Sequence, residues 1–303
     1  MAALEHGPRG LCKGVWDDCR VRLRLDLAYD GTDFNGWARQ PSLRTVQGNL
    51  EAALDLVLRT DSLRVTCAGR TDTGVHARGQ VVHVDVDEGA LSALAGRGTS
   101  TPVMALFRRL NGVLTKDIRI LRATIAADGF DARYSALWRR YAYRIADAPH
   151  LFDPMRRHEV LAWSRVLDLD AMNEAAHRLV GRHDFAAFAR KRAGATTIRT
   201  LLEMQWSRDE TGLAVAVVRA DAFCHTMVRS LVGCMIPVGE GRHQPTWARQ
   251  VLDRGERDAG VTVVQARGLT LEEVRYPADD QLASWAQAAR AKRTMAGRVV
   301  GDG

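Results

Sequence analysis

The sequence predicts an α+β fold built from two β-α-β-β-α-β halves, on three observations. Segments of strict apolar–polar alternation mark strands. Longer segments with apolar residues at helical spacing mark helices. The two kinds occur in the same order in residues 20–133 and 134–278, as a repeat of element order rather than of residue identity.

The first half opens with Val21, Leu23, Leu25, Leu27 and Tyr29 alternating with Arg22, Arg24, Asp26 and Ala28, which is a half-buried strand. The connecting loop AYDGTDFNGWARQP (28–41) carries three turn signals and an exposed-looking Trp37. Residues 45–59 place Val46, Leu50, Ala53, Leu54, Val57 and Leu58 at helical spacing, with Thr45 as N-cap. Strands are expected at 62–67 and 79–86, the second with Val82, Val84 and Val86 on one face. A helix at 102–113 has Pro102 in its first turn, where the missing N–H costs nothing. A strand at 117–125 closes the half.

The second half begins with an alternating strand at 134–146. In a helix at 168–180, Leu169, Met172, Ala176, Leu179 and Val180 share a face. Residues 197–208 and 212–220 read as a hairpin about the turn at 209–212. An apolar helix (223–238), an extra helix (246–254) and a closing strand (271–276) complete the half. Such units are ferredoxin-like (βαββαβ) halves. Their antiparallel sheets are expected to join edge to edge into one continuous sheet, which protects strand edges. Residues 1–19 read as an N-terminal extension, and 279–303 as a C-terminal tail, helical or mobile.

Composition excludes several classes of protein. The chain has 303 residues, 46% hydrophobic and 26% charged, an ordinary globular balance. No apolar run approaches the roughly 18 residues of a membrane span, and the N-terminus lacks the basic and apolar regions of a secretory signal, so a cytoplasmic protein is expected. Five cysteines with no C-x-x-C spacing argue against a disulfide framework or zinc site and for buried free thiols. The net charge of +7 resides largely in arginines such as Arg108-Arg109, Arg139-Arg140, Arg156-Arg157 and Arg190-Lys191-Arg192. Clustered arginine points to a polyanionic partner.

The chemistry concentrates in GRTDTGVHARGQ (69–80). Asp72-Thr73-Gly74 reads three ways: a turn aspartate, an aspartic-protease carboxylate, or another catalytic acid. The protease reading needs two carboxylates sharing a proton. The chain has one such tripeptide, and Arg70 and Arg78 favour the charged carboxylate and oppose sharing. An ionised carboxylate beside arginine suits nucleophilic attack on a carbon electrophile. In 137–146, Tyr141, Tyr143 and Ile145 share a strand face, as core residues or with a ring stacked on a nucleobase and an arginine beside it on phosphate. Arg229 interrupts the apolar 223–238 segment, so it either snorkels to solvent or pairs with an acid such as Asp72. Cys224 and His225 are adjacent, which is not metal-ligand spacing on a helix.

Residues 69–77, with Gly79-Gln80-Val81-Val82-His83 after them, resemble the catalytic loop G-R-T-D-x-G-V-H-A of the TruA-type family of tRNA pseudouridine synthases. Further segments agree in order: Tyr29-Asp30-Gly31 through Gly36-Trp37, Leu110-Asn111 through Asp117-Ile118, Ala132-Arg133-Tyr134-Ser135 through Arg140-Tyr141-Ala142-Tyr143, and Gly268-Leu269 through Tyr276-Pro277. The likeness spans about residues 20–277. It implies two ferredoxin-like halves with a cleft between them, a homodimer, and isomerisation of uridine to pseudouridine at positions 38–40 in the tRNA anticodon stem-loop, with no metal or organic cofactor. By position, Asp72 matches the nucleophile, Tyr141 the tyrosine that contacts the target uracil, Arg70 an arginine that helps extrude the base, and Arg229 the arginine that pairs with the aspartate. Departures are Thr73 for Ala, Thr115 for Pro, Ala38 where Gln is common, and Cys224-His225-Thr226.

Overall fold

The computed structural model describes residues 20–95, 100–190 and 194–290. Alternation makes Arg20–Tyr29 the strand β1, with Leu23, Leu25 and Leu27 fully buried. The helix α1 (Val46–Leu58) starts where the Thr45 hydroxyl accepts the Gly48 N–H. After it come the short β2 (Thr66–Cys67), β3 (His76–Asp87), the one-turn α2 (Glu88–Ser92), α3 (Pro102–Val113) and β4 (Ile118–Ile125). The second part contains β5 (Trp138–Ala146), β6 (Leu161–Ala162), α4 (Leu169–His177), β7 (Gly181–Asp184), β8 (Ile198–Arg208), β9 (Ala214–Ala220), α5 (Met227–Gly239), α6 (Thr246–Arg254), β10 (Leu269–Arg275) and α7 (Leu282–Arg290).

The strands form one large, mostly antiparallel sheet in the order β4-β1-β3-β10-β5-β9-β8-β7, with β2 on β3 and β6 on β5. The last strand, β10, lies at its centre, parallel to β3 and antiparallel to β5. The approach is close because Gly79 of β3 has no Cβ; one placed there would collide with the carbonyl of Glu272. The helices and the apolar face of the sheet enclose one continuous core running from Leu23 and Leu54 to Val232 and Leu271. Among the described residues, no helix is long and apolar enough to cross a membrane.

Several expectations are revised by hydrogen bonding. The strand expected at 62–67 shrinks to two residues because α1 side chains take its N–H groups: Leu63 N–H donates to Asp55 Oδ1 and Val65 N–H to Glu51 Oε1. The strand expected from 134 begins at Trp138, because Asp131 Oδ1 accepts the N–H groups of Arg133 and Tyr134 in a turn. Trp37 is buried, only 1% exposed: its loop folds inward and its N–H donates to the Thr71 carbonyl. Arg139 is not part of a surface patch. Its buried guanidinium donates to the carbonyls of Ala68, Arg133 and Asp221 at 2.6–2.7 Å. Residues 282–290 are helical, with Leu282 and Ala286 buried and Arg290 bonded to Asp131. Cys67 and Cys234 are buried free thiols, each pushed up to about 12 chiefly by burial; Cys12 and Cys19 lie outside the described residues.

Candidate active site

The loop between β2 and β3 carries Asp72, and a buried polar network fixes it. The Gln80 amide donates to the Gly69 carbonyl at 2.8 Å and to the Tyr29 hydroxyl at 3.3 Å, and Tyr29 in turn hydrogen-bonds Thr71 Oγ1 at 2.8 Å. Gln80 is fully buried, so these bonds meet little competition from water. Trp37 N–H donates to the Thr71 carbonyl and Gly74 N–H to the Phe34 carbonyl, so the 30–45 loop braces the same turn. The turn needs Gly74, whose φ of +78° is left-handed and favours glycine. His76 follows, buried. Its Nε2 donates to the His158 carbonyl at 2.7 Å, and its Nδ1 accepts the Gly31 N–H at 3.1 Å.

Two elements of the second part reach Asp72. Arg229, in the first turn of α5, places Nη1 3.5 Å from Asp72 Oδ2. Its own Nε donates to the Val264 carbonyl at 2.7 Å, so one edge of the guanidinium is anchored before it meets the carboxylate. His225 places Nε2 3.4 Å from the other oxygen, Oδ1. Spacing alone does not find His225, because the expected helix over 223–238 would put it on a helical face. The helix instead starts at Met227, and Thr226 ahead of it is left-handed at φ +64° without being glycine. Such a conformation costs about 1–3 kcal/mol and persists where the surroundings fix it. The signal in the sequence was the departure Cys224-His225-Thr226 itself.

Tyr141 and Tyr143 divide between the two readings of their strand. Tyr143 is core, fully buried, with its hydroxyl on the Gln265 carbonyl at 2.7 Å. Tyr141 is also largely buried but close enough to Asp72 to feel its charge. Burial first, then the neighbouring Tyr29 phenol and the Asp72 carboxylate, push its phenol well above its ordinary value. Phe223 stands edge-on to its ring at 5.0 Å between centroids. The arginines beside Tyr141 do not share its face: Arg140 pairs with Glu273 and Arg144 with Glu272 on β10. Arg78 likewise pairs with Glu159 and Glu272, so the arginine facing Asp72 comes from α5 rather than from within 69–80. Arg70 is exposed at the entrance to the turn and makes no ion pair among the described residues. Among the described residues, no cluster of three His, Cys, Asp or Glu side chains is arranged to hold a metal.

One carboxylate on a braced turn, flanked by an arginine and a histidine from another part of the chain and by a buried tyrosine, can act as a nucleophile beside a flat ring. The sequence model of the tRNA pseudouridine synthase family matches residues 27–134 and 175–277. The chain belongs to the tRNA pseudouridine synthase family. Enzymes of this family are isomerases that convert uridine to pseudouridine. The chain is 56% identical to a tRNA pseudouridine synthase A of Frankia casuarinae over 91% of its own length and 97% of the relative's. It is 56% identical to one of Streptomyces griseus over 91% and 95%, and 49% identical to one of Mycobacterium leprae over 90% and 96%. Tyr29, Phe34, Trp37 and Gln80 fall within the first matched block and Arg229 within the second, whereas Arg139, Tyr141 and their strand lie between the two.

Proposed function

We propose that the protein isomerises uridine to pseudouridine at positions 38–40 of the tRNA anticodon stem-loop, with Asp72 as nucleophile. The observation that carries the reading is the meeting of Asp72 with Arg229 and His225 at 3.4–3.5 Å, with Phe223, two residues before His225, against the Tyr141 ring. The choice of anticodon stem-loop rests on the resemblance of the ordered motifs. The target base leaves the stack, at a cost of a few kcal/mol offset by contacts in the pocket. Asp72 attacks either the sugar C1′ or the uracil C6, and the N-glycosidic bond breaks. The base turns and C5 bonds to C1′; Asp72 leaves with its bonding electron pair, from C1′ as that bond forms or from C6 as the C5 proton is lost. The C5–H electron pair then becomes the C5=C6 bond as N1 gains a proton, so the product has the atoms of the substrate. Tyr141 is assigned to the base, Arg229 to the Asp72 charge, and exposed Arg70 to the extruded strand. Arg190, whose N–H bonds the His225 carbonyl, and Arg267 are also exposed near the site and suit phosphate.

Two structural proposals accompany this reading. Each half is ferredoxin-like, supported by the matching strand orders β4-β1-β3-β2 and β10-β5-β9-β8. The enzyme works as a homodimer, as the resemblance implies, with light scattering as the check. The function is tested by incubating the protein with unmodified tRNA and mapping pseudouridine by chemical modification and primer extension. Product confined to positions 38–40 is expected, and product elsewhere or none at all overturns the assignment. Affinity for tRNA is expected to fall steeply between about 50 and 200 mM salt as phosphate contacts release counterions.

A further inference from the structure

The segment between β9 and α5 touches both side chains assigned to chemistry. Phe223 stands against Tyr141, and His225 stands against Asp72. The segment is held firmly for one outside a helix or strand. Asp221 Oδ1 accepts the Thr200 and Ala222 N–H groups, and the Asp221 carbonyl accepts from buried Arg139. The His225 carbonyl accepts the Arg190 N–H at 3.1 Å, and Met227 N–H closes a turn onto the Cys224 carbonyl. The left-handed Thr226 then turns the chain into α5, so that His225 and Arg229 approach Asp72 from different backbone origins.

The two approaches meet different atoms. Arg229 lies at Oδ2 and His225 Nε2 at Oδ1. A carboxylate held through one oxygen still turns about its terminal torsion, which is broad for aspartate. A second donor on the other oxygen removes that freedom and aims one set of lone pairs. We infer that His225 is a positioning residue for the reaction: its Nε2–H holds Oδ1 of Asp72, and with Arg229 on Oδ2 it fixes the plane of the nucleophilic carboxylate. His225 acts through Asp72, so the inference rests on Asp72 being the nucleophile. Aligning a reacting atom is worth as much as roughly 10²-fold in rate per ångström of misplacement. The imidazole is 45% exposed, so its removal leaves neither a core cavity nor a buried unpaired group.

The experiment compares His225→Leu, His225→Gln and Asp72→Asn with the wild type on unmodified tRNA, by single-turnover rate, tRNA affinity and Tm. His225→Leu is expected to lower the single-turnover rate about 10²-fold, with tRNA affinity and Tm at wild-type values. His225→Gln offers an amide N–H to Oδ1 and is expected to recover most of that loss. A wild-type rate for His225→Leu overturns the inference, as does a loss confined to affinity, which would assign the imidazole to RNA. Equal losses for Leu and Gln, or a rate loss that tracks a lower Tm, also overturn it. Asp72→Asn separates the two levels. If it keeps activity, the nucleophile assignment and this inference both fall; if it is inactive while His225→Leu turns over normally, only the role of His225 falls.

Discussion

Two aspartates in this molecule face an arginine from a distant part of the chain, and they are held in opposite ways. Asp147, just after β5, is gripped on both oxygens by Arg208 of β8, with Nη2 at 2.6 Å, and also accepts the Leu167 N–H at 2.8 Å. Its side chain is 1% exposed. Asp72 meets single donors at 3.4 and 3.5 Å and is 21% exposed. In the first pair the lone pairs are consumed by short, charge-assisted bonds, so the carboxylate is structural. In the second, one neighbour at each oxygen sets the orientation of the carboxylate at longer range, and the remaining lone pairs stay open to an electrophile. Proximity of Asp to Arg therefore says little; the length and number of the bonds separate a structural carboxylate from one left free to react.

Four measurements test this contrast. The largest effect belongs to Asp72→Asn, expected to lower kcat by roughly 10⁴-fold or more with Tm almost unchanged, because long, partly exposed pairs contribute only about 0–1 kcal/mol. Next is Asp72→Glu, which keeps the charge but moves it one methylene toward Arg229, towards the tight arrangement of Asp147. A loss of roughly 10²-fold in kcat is expected, and full activity would show that the loose spacing is unimportant. Asp147→Asn should do the reverse, keeping kcat per folded molecule while lowering stability by about 2 kcal/mol, less than for a fully buried pair because Arg208 is partly exposed. Urea unfolding reads that value.

The smallest effect is the pH dependence of the same difference. Burial opposes ionisation of Asp147, but bonds from Arg208 and Leu167 outweigh it and hold the carboxyl below its usual range. A folded value below the unfolded one stabilises the fold fully above the unfolded carboxyl value of about 3.9. That contribution is lost as pH falls through the folded value. The gap between wild type and Asp147→Asn should therefore be constant from neutral pH to about 5 and close below about 4. A gap that persists in acid would assign it to shape rather than charge.

Much of this architecture was legible from local pattern. Alternation places β1 and the hairpin of β8 and β9 almost to the residue, and Thr45 caps α1 as its spacing requires. Arg229 was legible because an isolated charge in an apolar segment needs a partner. What escaped depends on contacts made at a distance. Glu51 and Asp55 take backbone donors that would otherwise extend β2, and nothing within 62–67 signals it. Trp37 looks exposed among turn residues until its loop folds onto Thr71. The short β6 and β7 have too few residues for a period to register, and each exists because a longer neighbour offers an edge. His225 was missed because Thr226 adopts a conformation that its type rarely takes.

The central position of β10 sets a condition on biosynthesis. The strand that sits between β3 and β5 is made after both of them, at residues 269–275. At about 5–20 residues per second, translation of the whole chain occupies some tens of seconds. Until β10 arrives, β3 and β5 each present an open edge, and the pairing that unites them spans nearly 200 residues, from His76 to Thr270. Contacts so distant in sequence form slowly. A nascent chain that has not reached residue 269 thus lacks the strand that joins β3, next to the aspartate turn, to β5 and the second part that carries Arg229.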